Sequence, residues 1–79
     1  MLGVQCKMAR AALGLTVRAL AGLAGVSHDT IVRLEAGEEL KPRTVEAIQH
    51  ALEAAGVEFI PENGGGPGVR LRKTSVDIK

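Results

Sequence analysis

The side chains able to do chemistry in this sequence are few, and most arrangements are excluded by spacing. His28 and His50 lie far apart, with no Cys or carboxylate at metal-ligand spacing beside them, so no zinc site is expected. Cys6 is the single cysteine, so an internal disulfide is impossible and nothing marks a secreted scaffold. It reads as a semi-buried small hydrophobe rather than a redox centre. No Ser/His/Asp or Cys/His arrangement fits this length, and no enzyme activity or cofactor is expected. Gly64-Gly65-Gly66 has no following Gly-Lys-Ser/Thr, so it is no phosphate loop. What remains is a polar set on one short segment, Ser27, His28, Asp29, Thr30 and Arg33, directly after Gly25-Val26. On a helix, apolar Ile31 and Leu34 turn inward and His28, Asp29, Val32 and Arg33 turn outward.

The elements that must hold this set follow from punctuation and period. A first helix over residues 5–13 carries Met8, Ala9, Ala12 and Leu13 on one stripe and stops at Gly14. Thr16 caps a second helix, 17–24, whose Val17, Leu20, Ala21 and Ala24 repeat at helical spacing. Gly25 supplies a tight turn, Val26 a buried plug, and Ser27 the cap of a third helix, 28–36, stopped by Gly37. Pro42 opens a fourth helix running to about residue 55, with Val45, Ile48 and Leu52 inward and Ala51 and Ala55 beside them. The period then changes to two. Val57 and Phe59, then Val69 and Leu71, predict a hairpin over 57–72 with a flexible eight-residue loop. Residues 74–79 have no pattern and are expected to be a disordered tail.

Two short helices joined by a Gly-x-Ser turn describe a helix-turn-helix. Ala21 is small enough for close approach, Gly25 permits the bend, and Val26 fills the wedge. The second helix can then enter a major groove about 12 Å wide.

Length and charge agree with one small domain. The chain has 79 residues, 10 Lys+Arg against 9 Asp+Glu, and a single aromatic residue, Phe59. One ring cannot build a stacking platform for single-stranded nucleic acid. A domain of this size buries only about 60% of its unfolded surface, so it is marginal or helped by a partner. No apolar run approaches a membrane span and the start resembles no signal peptide, which makes a cytoplasmic protein the expectation. Charge is segregated: residues 46–68 carry Glu46, Glu53, Glu58 and Glu62 and no Lys or Arg. A near-neutral chain can therefore still present a basic face.

Residues 5–56 resemble the Cro/phage-repressor type of helix-turn-helix protein, the XRE family. The resemblance rests on Arg10, Leu13-Gly14-Leu15-Thr16, Leu20-Ala21, Gly25-Val26-Ser27, Thr30-Ile31, Arg33-Leu34-Glu35, Gly37 and Lys41-Pro42, in register throughout. It implies a mainly α fold: a four-helix repressor-like DNA-binding domain over 1–56, with its helix-turn-helix at 16–36, followed by a C-terminal β-hairpin over 57–73. It implies that Ser27, His28, Asp29, Thr30 and Arg33 meet double-stranded DNA, with Thr16 beside the backbone and Lys41 and Arg43 gripping phosphate. Arg33 suits guanine O6/N7 and Asp29 suits cytosine N4. A solvated helix face is the other reading of these side chains. Where many relatives carry a DNA-contacting Gln, this chain has Val17, which implies one lost backbone contact or compensation by Arg18. Arg10 and Glu35 match a family ion pair between the first and third helices, a role in folding and not in recognition.

Such proteins bind palindromes as twofold dimers with half-sites about 34–36 Å apart. A homodimer is expected, with Val57, Phe59, Ile60, Val69 and Leu71 at or near the interface; the alternative is that Phe59 and Leu71 cap the helical core of a monomer. Arg70, Arg72 and Lys73 are open between DNA flanks, Glu58 and an interface. The function implied is a small repressor or dual regulator of transcription. Its rival is a protein-interaction module that binds another regulatory protein as an antiactivator, or a toxin as an antitoxin, through the acidic 46–62 stretch and the hairpin.

Overall fold

The computed structural model describes residues 1–72 and contains four helices followed by a two-stranded antiparallel sheet. They are α1 (Gly3–Leu13), α2 (Val17–Ala24), α3 (His28–Glu35), α4 (Pro42–Ala55), β1 (Val57–Ile60) and β2 (Gly68–Leu71). Lys73 and the tail expected at 74–79 lie outside the described residues.

The helix boundaries follow the capping chemistry. Thr16 Oγ1 accepts the Ala19 N–H at 3.0 Å, and Ser27 Oγ accepts the Thr30 N–H at 3.1 Å. Gly14, Gly25 and Gly56 end α1, α2 and α4 in the left-handed conformation. The observed α1 starts two residues before the expected boundary, at Gly3. Gln5 explains this, because its Oε1 accepts the Leu2 N–H at 2.8 Å and so satisfies a donor ahead of the first turn. Gly3 sits where no side chain fits. A Cβ there would overlap the Leu34 carbonyl oxygen and lie 3.2 Å from the Glu35 Cα, so α1 crosses the end of α3 backbone against backbone.

Nine residues form the core: Cys6, Ala9, Leu20, Ala21, Ile31, Leu34, Ile48, Leu52 and Val57. Each helix contributes two, and the hairpin contributes Val57. Leu13, Val17, Val26, Val45, Phe59 and Val69 pack around them. The stripe expected on α1 is displaced: Gln5, Cys6 and Ala9 are its buried residues and Ala12 is exposed. Ala55, expected beside the inner stripe of α4, is exposed as well.

The hairpin pairs Val57 with Leu71, Glu58 with Arg70, Phe59 with Val69 and Ile60 with Gly68. Its loop, 61–67, is one residue shorter than expected because Gly68 pairs. The Glu62 carboxylate organises that loop by accepting the Gly64 and Gly66 amides at 3.3 and 3.2 Å. β1 lies against α4 and β2 against α1.

Three side chains fasten the hairpin. Gln5 Nε2 donates to the Ile60 and Gly68 carbonyls at 3.3 and 3.1 Å, tying α1 to the loop end of the ladder. Arg72 donates from Nη2 to the Glu53 carbonyl and, at 3.5 Å, to that of Val57. It thus places a cation at the negative end of α4. Arg70 Nε meets Glu58 Oε1 at 2.8 Å across the strands, which answers one of the three uses left open for it.

Candidate nucleic-acid interface

α2 and α3 are joined by a turn whose geometry leaves the start of α3 prominent. Gly25 takes φ 71°, and the Val26 N–H donates to the Ala21 carbonyl at 3.0 Å, so the chain reverses within three residues. Val26 packs into the core edge and Ala21 is buried beneath it. Ile31 and Leu34 anchor α3 inward, and His28, Asp29, Val32 and Arg33 are exposed on its other side, as expected from their spacing. The exposed face therefore opens with three polar residues, Ser27 at the cap and His28 and Asp29 in the first turn, with Arg33 in the last.

The hydroxyls of Ser27 and Thr30 lie 2.7 Å apart and share one proton between them. The second hydroxyl proton is left free to donate outward, next to the positive end of α3. This pair thus combines a cap with a donor for an oxyanion. Thr16 repeats the capping half of that chemistry at the start of α2, exposed to solvent.

Arg18, Lys41 and Arg43 are all exposed and make no ion pair among the described residues. Lys41 is the N-cap of α4, and Pro42 fills its first turn, where no N–H is lost to the ladder. Val17 is half-buried against the core, so it supports the start of α2 from inside.

Arg33 differs from this unpaired set. Its Nε donates to Glu38 Oε1 at 2.8 Å, with side chains 48% and 52% exposed. Sequence reasoning gave Glu38 no role. The only signal for the contact was the glycine stop at Gly37, which folds residue 38 back over the helix end.

Beneath the interface, Arg10 clamps Glu35 with two parallel hydrogen bonds, Nε to Oε2 at 2.7 Å and Nη2 to Oε1 at 2.8 Å. Arg10 Nη1 also donates to the Leu15 carbonyl at 3.1 Å, so one guanidinium joins α1, α3 and the segment leading to α2. The expected ion pair is present, and Cys6 joins it, donating from Sγ to Glu35 Oε2 at 3.3 Å. The Arg10 hydrogen bond holds the Glu35 carboxyl below the ordinary carboxylate range. Burial first, and then the bond to Glu35, pushes the Cys6 thiol up to about 12.

The profile of the helix-turn-helix domain family matches residues 1–59, covering all four helices and most of β1. The chain belongs to the helix-turn-helix domain family. No curated protein matches it. Family membership supports a DNA-binding regulator, and α2, the turn at Gly25 and α3 form the helix-turn-helix of this chain.

The five residues expected at a dimer interface divide. Val57 is fully buried within its own protomer, and Phe59 and Val69 pack on the same core. Ile60 is half-buried, and Leu71 is 57% exposed. Among the described residues no group of three or more metal-ligating side chains comes together, and no helix is long and apolar enough to cross a membrane.

Proposed function

We propose that this helix-turn-helix chain is a sequence-specific transcriptional regulator of the Cro/phage-repressor type, acting in the cytoplasm without a catalytic step. It binds palindromic operators as a homodimer, inserts α3 into the major groove, and acts as a small repressor or dual regulator. One observation carries the reading: α3 buries only Ile31 and Leu34 and leaves His28, Asp29 and Arg33 on an open face capped by a hydroxyl pair. Direct readout needs such a set, because base edges are distinguished by donor and acceptor patterns in the major groove.

The basic inventory supports discrimination over indiscriminate binding. Arg18, Lys41 and Arg43 are available for phosphate, each neutralised phosphate adding about −0.9 to the salt slope. Asp29 on the readout face penalises misplaced backbone contact. Of the five residues expected to serve self-association, the core leaves over Leu71 and part of Ile60, which lie beside the outer edges of a two-stranded sheet.

The test is fluorescence anisotropy on duplex DNA from upstream of the protein's own gene, beside scrambled duplex, at two salt concentrations, with wild type and Arg33→Ala. A preference of about a hundredfold or more, lost in the variant, is the expected result. Equal weak binding to both duplexes, unchanged in the variant, refutes the reading at that operator and turns attention to a protein partner. Sedimentation of the free chain tests the homodimer.

A further inference from the structure

Among the described residues Glu38 is the one carboxylate in contact with a candidate base-reading side chain, and the backbone puts it there. α3 ends at Glu35 with Ala36 as its cap, and Gly37 takes φ 94°. The reversed chain is fixed by two hydrogen bonds, Gly37 N–H to the Leu34 carbonyl and Glu38 N–H to the Arg33 carbonyl, each 3.0 Å. Such a paired closure of a helix end places the residue after the glycine over the last turn whatever its side chain. Residue 38 is thus held beside residue 33 before the side chains meet. An isolated exposed ion pair contributes little to stability, so the consequence of this contact lies in direction.

The atoms used give that direction. Arg33 spends its Nε–H on Glu38 Oε1 at 2.8 Å, and neither Nη1 nor Nη2 has a partner among the described residues. A guanidinium reads guanine through two parallel N–H groups on one edge. With Nε engaged, the Nη1/Nη2 edge is the fork that remains. The carboxylate also offsets the pull of Arg33 on phosphate oxygens. Resting on the DNA-reading function above, we propose that Glu38 is a positioning residue: it orients Arg33 so that its terminal nitrogens face a guanine edge, and it keeps Arg33 from serving as a general phosphate contact.

The experiment uses the full chain and a duplex library with a randomised core. Selection with wild type gives a preferred duplex, and anisotropy then measures binding to it, to versions with each guanine replaced, and to scrambled duplex. The variants are Arg33→Ala, Glu38→Ala and Glu38→Gln, with thermal melting of each as a check on folding. Wild type is expected to lose about tenfold or more at one guanine, and Arg33→Ala to abolish that preference. Glu38→Ala should cut the same preference to about a third or less while binding scrambled duplex as tightly or more tightly. Glu38→Gln keeps an oxygen for Nε and loses the charge, so it should restore most of the guanine preference while retaining the tighter scrambled binding.

Undiminished discrimination in Glu38→Ala overturns the proposal. So does equal weakening on every duplex, which marks a structural role, or tighter binding to the preferred duplex with discrimination kept, which marks an inhibitory latch. A wild-type preference indifferent to Arg33→Ala overturns the proposal and leaves the DNA-reading function standing. Absence of any wild-type preference overturns both.

Discussion

Replacing Arg10 with methionine would leave the Glu35 carboxylate in a site built around its partner. Two charge-assisted hydrogen bonds disappear, at 2.7 and 2.8 Å, and only the Cys6 thiol remains as a donor. Bonds to charged groups contribute about 1.5–3 kcal/mol each. The side chains are 18% and 10% exposed, so water recovers part of the loss. The expected cost is about 3 kcal/mol, the low end of the range for breaking a buried pair. For a domain of this size, with a total of about 4–12 kcal/mol, that is a quarter or more of its stability. It lowers Tm by about 12 °C or more. Urea and thermal unfolding followed by circular dichroism measure it, beside the double variant Arg10→Met/Glu35→Met. The double variant is expected to recover most of the loss, because two apolar chains fill the site without an orphaned charge. The pH dependence has a definite sign. The folded state holds Glu35 below its ordinary value, so the pair's contribution is full above the unfolded pKa of about 4.3 and is lost as pH falls through the lower folded value. The gap between wild type and Arg10→Met should therefore narrow from pH 7 to pH 3. A gap under about 0.5 kcal/mol at pH 7, within the range of ordinary surface substitutions, or one that does not change with pH, would refute the argument.

Three further predictions concern packing and reactivity. Gly3→Ala should destabilise by about 1–3 kcal/mol, despite alanine's better helix propensity, because the new methyl group meets the Leu34 backbone; a stabilised variant in urea titration would show that the two helices separate easily. Gln5→Leu removes the donor to the Ile60 and Gly68 carbonyls, so hydrogen exchange should quicken in the β1–β2 ladder more than in α4, with a stability loss of about 1–3 kcal/mol. Uniform quickening would assign Gln5 to the core as a whole. Cys6 should resist iodoacetamide at pH 8 in the native state, since burial and Glu35 hold its thiol near a pKa of about 12; alkylation at the rate of an unfolded control would contradict that environment.

The helices were legible because local signals agreed with one another. Thr16 and Ser27 are caps with a mechanism, and glycines 14, 25 and 56 stop helices where positive φ is needed. The outward set on α3 followed from period alone. The Arg10–Glu35 pair was implied by family resemblance, since nothing local predicts an ion pair between residues so far apart. Less visible were contacts that depend on tertiary approach. Gln5 looks like an ordinary first-turn residue, yet its burial is decided by the hairpin. Arg72 had several possible uses, and the end of α4 settles it. Glu38 was hidden because its neighbour is chosen by a backbone reversal and not by helical spacing.

The docking of Gln5 on the hairpin also bears on the order in which the chain matures during synthesis. Its amide partners lie 55 and 63 residues downstream. At about 5–20 residues per second, the second partner is made roughly 3–13 s after Gln5 itself. Throughout that interval Gln5 Oε1 can accept the Leu2 N–H, but its Nε2 lacks the full pair of carbonyls it donates to, and Val57, the hairpin's share of the core, is missing for most of it. The helix-turn-helix unit is therefore complete in sequence well before its support is, and nascent chains that stop short of β2 should present α1 as a loosely held segment, open to chaperones and proteases until the last strand arrives.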